Sequence, residues 1–382
     1  MSKNNDKAVF ANQLRGLAVI LVLIIHWAGI YWYARGTVAD FIHAPMVEGP
    51  SSRLIDIISI PTVNYGALGV AIFFMISGFV IPFSLARASP IEFIVSRIFR
   101  IYPTYLVGSA FMVFCVWVSC LYWGAEFKFD SSWLISNLLL IHKDVLQPSM
   151  DLVNWTLAIE IKFYLIAALM YRFIRSGDLR PFVLFSVAVL GVTTWRSPEY
   201  SVLDVGLFKI SLDSIMTDLM FVCYMFIGVG FYNMYIGRMR WREMACYSAS
   251  ILLVFMLCWS GGSVSDQFPG ITINYIYGLG VFTVCYAMRS RFKPLFCLDF
   301  MAKISYPLYM VHAVPGYAMF RILMDVGVPY RYCLPIVFVF MVAVAYVIHL
   351  TVEVHTAHAG KKIFRFLHRR SNERNEAAGA AG

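Results

Sequence analysis

The chain is 382 residues long, 60% hydrophobic and only 14% charged, with a mean hydropathy of +0.71, which excludes an ordinary soluble globular domain. Its net charge of +9 is spread over short segments with no Lys/Arg-rich recognition unit, so no nucleic-acid partner is expected. The 8 cysteines show neither CxxC nor Cys/His ligand spacing, so no disulfide framework and no metal site is expected either.

Apolar segments close to the length that crosses a bilayer recur at 14–33, 63–84, 103–123, 153–171, 181–195, 214–236, 243–260, 270–289, 303–322 and 332–352. The expected fold is all-α, a polytopic membrane bundle of about ten transmembrane helices. Residues 1–13 read as a cytoplasmic tail, 14–352 as the membrane domain and 353–382 as a basic, disordered cytoplasmic tail. With the N-terminus inside, 22 of the 31 Lys and Arg fall on the inner side and 8 on the outer, while Lys162 lies within a span. That bias predicts both termini in the cytoplasm. The first segment is too long for the apolar core of a signal peptide and is expected to stay.

The first span carries Arg15 and His26. Eleven residues turn a helix by about 1,100° and raise it by about 16 Å, so the two share a face, with Arg15 at the inner edge and His26 near the midplane. Ionisable groups placed so are expensive and usually line a polar cavity, a proton path or a catalytic centre. In Phe73–Pro82 the small pair Ser77 and Gly78 interrupts a bulky run, which suits either close helix packing or the approach of a ligand chain. Arg97 and Arg100, three residues apart, sit on one side of a helix start, as phosphate ligands or as anchors among lipid headgroups. Glu160 lies about 7 Å along its helix from Trp155, which reads as an outer interface anchor. Lys162 points elsewhere, so Glu160 needs a partner from another span, structural or functional. The stretch Lys303–His312 brings His312 about 13 Å up from the inner face, near the depth of His26. It serves as a hydrogen-bonded bundle residue or shares a cavity with His26, and Pro307 is expected to loosen its helix.

In this order the stretches resemble the acyltransferase-3 family of membrane acyltransferases, which includes O-acetyltransferases of bacterial polysaccharides, O-antigens and Nod factors. The resemblance runs from Arg15 to about Glu353. It rests on Arg15 with His26, on the FFxxSGF run Phe73–Phe79, on the RIxP element (Arg97, Arg100, Ile101, Pro103), on Trp155–Tyr164 matching WSLxxExxFY, and on SYxLYxxH at Ser305–His312. Ser96 stands where the family often has another basic residue, Thr156 replaces the usual Ser, and Glu353 alone remains of a Glu-x-Pro. Some members carry a fused SGNH-type domain; none is expected here, which implies that transfer finishes in the membrane domain or with a separate partner.

The resemblance implies a membrane O-acyltransferase of the bacterial inner membrane, with acyl-CoA, acetyl-CoA first, as donor and a carbohydrate or lipid-linked glycan as acceptor. Membrane lipids are its other partners. It implies His26 and Glu160 as catalytic residues, Arg15, Arg97, Arg100, Ser77, Gly78, Ser305 and Tyr306 as donor-binding, and Trp155, Tyr309 and His312 as acceptor-binding. A secondary transporter or flippase with a midplane His/Glu site is the competing reading; transporters often show repeated halves, and no internal symmetry is apparent.

Overall fold

The computed structural model describes residues 2–52, 57–128, 130–195, 201–206, 209–357 and 359–360, with side chains from residue 9 onward. The basic tail beyond 360 lies outside the described residues. The described residues are helical apart from one hairpin, β1 (Val202–Asp204) with β2 (Lys209–Ser211), paired antiparallel with Leu203 opposite Ile210. The main helices are α1 (Ser2–Ile24), α2 (Arg35–Ile42), α3 (Tyr65–Leu85), α4 (Pro90–Trp123), α5 (Ser131–Leu138), α6 (Asn154–Leu169), α7 (Arg180–Trp195), α8 (Leu212–Tyr235), α9 (Trp241–Gly261), α10 (Ile273–Ala287), α11 (Phe296–Lys303), α12 (Ser305–Val311), α13 (Val314–Asp325) and α14 (Tyr330–Ile348). Among the described residues, six stretches are long and apolar enough to cross a membrane: Val9–Tyr33, α3, α4, α8, α9 and Tyr330–Ala357. The protein is a multi-pass membrane protein.

The other expected spans take different forms. The helices α6, α7 and α10 have 16, 16 and 15 residues, or about 24 Å, short of a hydrocarbon core of about 30 Å. The 303–322 segment is broken in two. Pro307 does not cause the break, because it sits in the first turn of α12, where its missing N–H goes unneeded. Pro315 does, because it has no N–H to give the Val311 carbonyl, and α12 therefore ends before His312 and Ala313. The freed His312 carbonyl accepts from Trp27 Nε1 at 2.9 Å.

Helix α4 begins well before the expected 103. Ser89 caps it, accepting from the Glu92 N–H at 3.4 Å while Glu92 accepts from the Ser89 N–H at 2.6 Å, with Pro90 at the first helical position. Arg97 and Arg100 thus lie inside a helix rather than at its start. At the centre stands α8, buried on every side from Met220 to Asn233, as a helix that is apolar all round should be. Against it packs α3, with Gly78 facing Gly228: a Cβ on Gly78 would lie 2.0 Å from the Met225 carbonyl oxygen. Two π-helical turns interrupt long helices, Ile25–Ile30 after α1 and His349–Glu353 after α14, and such turns recur at functional sites.

Candidate active site

A cavity of about 420 Å³ opens between α1, α3, α4, α6, α11, α12 and the second π-turn. Arg15, Ser77, Arg97, Arg100, Glu160, Ser305, Tyr306 and Tyr309 all line it, so eight side chains singled out in five separate stretches face one space. Arg97 donates from Nη2 to Ser84 Oγ at 3.1 Å, and its Nε is buried without a partner. Its guanidinium lies 5.3 Å from the Phe93 ring and 5.9 Å from the Tyr164 ring. Orphaned buried donors are rare, and one on an arginine beside a cavity fits an anionic ligand. Glu160 accepts from Ser77 Oγ at 3.0 Å and from the Tyr164 hydroxyl. Among the described residues its hydrogen-bond partners are hydroxyls, with no ion pair in direct contact.

Gly78 and Trp155 do not join this space. Consecutive helix residues point about 100° apart, so with Ser77 in the cavity Gly78 meets α8 instead. Its small size serves helix packing and not the passage of a ligand chain. Trp155 packs its ring 5.5 Å from Phe221 with Lys143 Nζ 5.9 Å above it. Ser305 bonds its Oγ to the Ala302 carbonyl at 2.9 Å and Tyr306 its hydroxyl to the Ile101 carbonyl at 2.8 Å, which fixes α12 against its surroundings.

His26 and His312 meet, one ring beyond the cavity wall. Their rings stand edge to face at 4.8 Å, and the His312 ring is 5.7 Å from that of Tyr309. The His312 Nδ1 lies 3.2 and 3.0 Å from the Leu308 and Tyr309 carbonyl oxygens. Carbonyls only accept, so Nδ1 carries the hydrogen and Nε2, buried and without a partner, carries the lone pair. The His26 Nδ1 pairs with the Tyr317 hydroxyl at 2.7 Å. Arg15 lines the cavity, whereas His26, in the π-turn Ile25–Ile30, is not among its lining residues.

Several residues of the site were missed from the sequence. Tyr317 gave no signal beyond its distance from His312. His349 and Glu353 pair at 2.7 Å in the second π-turn and line the cavity, although Glu353 was assigned to the tail. Asp299 and Lys303 complete the wall. A second cavity of about 490 Å³ lies on the other side of the first π-turn, between Ile25, Gly29 and residues 58–65. Among the described residues, its ring of apolar and neutral side chains brings no acid, base or cation together.

A family model described as an acyltransferase domain matches residues 9–350. No curated protein and no solved structure matches the chain. The match covers far more than half of the sequence and includes every wall of the cavity up to His349. This chain is a member of the acyltransferase-3 family.

Proposed function

We propose that this membrane acyltransferase moves an acyl group, acetyl in the first instance, from cytoplasmic acyl-CoA to a hydroxyl of a lipid-linked or extracytoplasmic carbohydrate in a bacterial inner membrane. The supporting observation is the cavity itself, with Arg15, Arg97 and Arg100 in its wall, Glu160 beside them, and the His26–His312 pair one ring beyond. Arginines suit the phosphates of the donor, and the orphaned Arg97 Nε is a donor in want of one. The bound donor is read as lying with its phosphates on Arg97 and Arg100 and its thioester towards Tyr309. The acceptor oxygen attacks the acyl carbon, its proton passes to the free nitrogen of a neutral imidazole, and the carbon–sulfur bond breaks to release thiolate. His26 is our base, held by Tyr317 and taking the proton of the attacking hydroxyl, with His312 Nε2 as hydrogen-bond acceptor for a second hydroxyl of the acceptor. Glu160, through Ser77 and Tyr164, orients the donor's reacting end. On this reading both termini are cytoplasmic.

The broken helix at His312–Ala313 favours a second reading, a transporter or flippase, since such proteins place substrate at discontinuous helices. The test is transfer of label from radiolabelled acetyl-CoA, supplied outside cytoplasmic-side-out membrane vesicles, to their glycans. We expect label with the wild type and none with His26→Ala. An active His26→Ala protein sinks the mechanism, and an inactive, correctly inserted wild type shifts the reading to transport.

A further inference from the structure

The loop before α6 carries a buried acidic group two residues from the backbone that anchors Tyr309 through Thr156. Asp151 is 4% exposed. One carboxylate oxygen accepts the Leu152 N–H at 2.6 Å, and among the described residues no side-chain donor is recorded on either oxygen. The loop is fixed. The Asn137 side chain donates to the Pro148 carbonyl at 3.0 Å and accepts the Met150 N–H at 2.8 Å, while Ser149 Oγ bonds the Asp151 carbonyl at 2.5 Å. Two residues on, the Val153 carbonyl accepts from Thr156 Oγ1 at 2.9 Å, and that hydroxyl pairs with Tyr309 at 2.8 Å. The Asp151 carboxylate is within electrostatic reach of the Tyr309 and Tyr317 hydroxyls, of which the first lines the cavity and the second holds His26.

The buried polar atoms without partners among the described residues include Asn154 Nδ2, three residues on, and His312 Nε2, beside Tyr309. Buried polar groups are normally paired, and a buried carboxyl without side-chain donors is costly unless a ligand supplies them. Once ionised, the carboxyl only accepts, so the ligand it selects must bring hydroxyl or amine hydrogens, and its two oxygens can take two neighbouring hydroxyls at once.

We propose that Asp151 is an acceptor-binding residue, whose carboxylate accepts hydrogen bonds from hydroxyls of the sugar that receives the acyl group and so presents the attacking oxygen to His26. This rests on the acyl-transfer reading above. In the step itself the new carbon–oxygen bond forms as the carbon–sulfur bond breaks, the hydroxyl proton goes to imidazole and then to the departing thiolate, and Asp151 neither gains nor loses a proton.

The experiment uses the full-length protein in cytoplasmic-side-out vesicles containing their native glycans, with radiolabelled acetyl-CoA varied over its saturation curve. Asp151→Asn, which keeps shape and removes charge, should lower the maximal glycan labelling by about 10- to 100-fold, the loss of one or two charge-assisted hydrogen bonds. The acetyl-CoA KM should stay within about twofold, because donor contacts are untouched. A variant that labels glycan like an active wild type overturns the proposal alone. A parallel rise in acetyl-CoA KM, or failure of the variant to fold, assigns the carboxylate to structure and overturns it as well. A wild type that labels nothing defeats the acyl-transfer reading, and this one with it.

Discussion

Two charges two residues apart on α6 meet opposite surroundings. Lys162 reaches Asp144 and Asp218, each at 2.6 Å, and Asp218 is 1% exposed. Glu160 faces the cavity with hydroxyl partners from Ser77 and Tyr164. One face of the helix thus pairs its charge within the protein, stapling the loop after α5 to α6 and α8. The other leaves a carboxylate near arginines and an opening. A charge buried in a membrane domain and fully paired is there to hold structure, whereas one left with neutral partners beside a cavity awaits a ligand.

Exchanging the two charges tests that contrast most sharply. Glu160→Gln should reduce acyl transfer by about 10²-fold, as expected for misplacing the reacting end, while the thermal midpoint of the detergent-solubilised protein barely moves. A variant that transfers normally but melts early would move Glu160 to the structural side. Lys162→Met leaves two carboxylates uncompensated and should destabilise the fold by about 3–5 kcal/mol. Transfer per folded molecule should stay near the wild-type level, and loss of turnover in well-folded Lys162→Met protein would erase the distinction.

On the cavity side, Arg97→Gln should raise the acyl-CoA KM by about 10- to 100-fold, as expected for one charge-assisted phosphate contact. Unchanged donor saturation would remove Arg97 from the donor site. The smallest effect concerns Asp151, whose burial holds its carboxyl up to about 7. Unfolded, it loses its proton near pH 4, so between about pH 4 and 7 the native state binds more protons than the unfolded one and stability falls as pH rises. The thermal midpoint of Asp151→Asn relative to wild type should therefore climb across that window and level off above it. A constant difference would contradict the burial of the carboxyl.

Much of this was legible from spacing. Arg97 and Arg100 at i and i+3, and Glu160 five residues after Trp155, follow helical geometry, and they line the cavity because their helices are regular there. Spacing failed where the helix is irregular. His26 lies in the π-turn Ile25–Ile30 and outside the lining that holds Arg15, and His349 and Glu353 of the second π-turn both line the cavity. Pro315 breaks α12 from α13, a role the sequence reading gave to Pro307 although both prolines were visible. Gly78 and Ser77 are adjacent, and only the position of α8 decides which of them meets the cavity. The Lys162 staple was out of reach, since Asp144 and Asp218 lie in separate segments with no periodic signal.

The account turns on what the arginine-lined cavity holds, and the most direct measurement is an experimental structure of the protein with acetyl-CoA bound. The diphosphate should rest on Arg97 and Arg100, one phosphate oxygen should accept from Arg97 Nε, and the thioester should point past Ser77 towards Tyr309. Acetyl-CoA seated in the apolar cavity beside Ile25 and Gly29, or absent from the arginine-lined one at concentrations that saturate transfer, would contradict it.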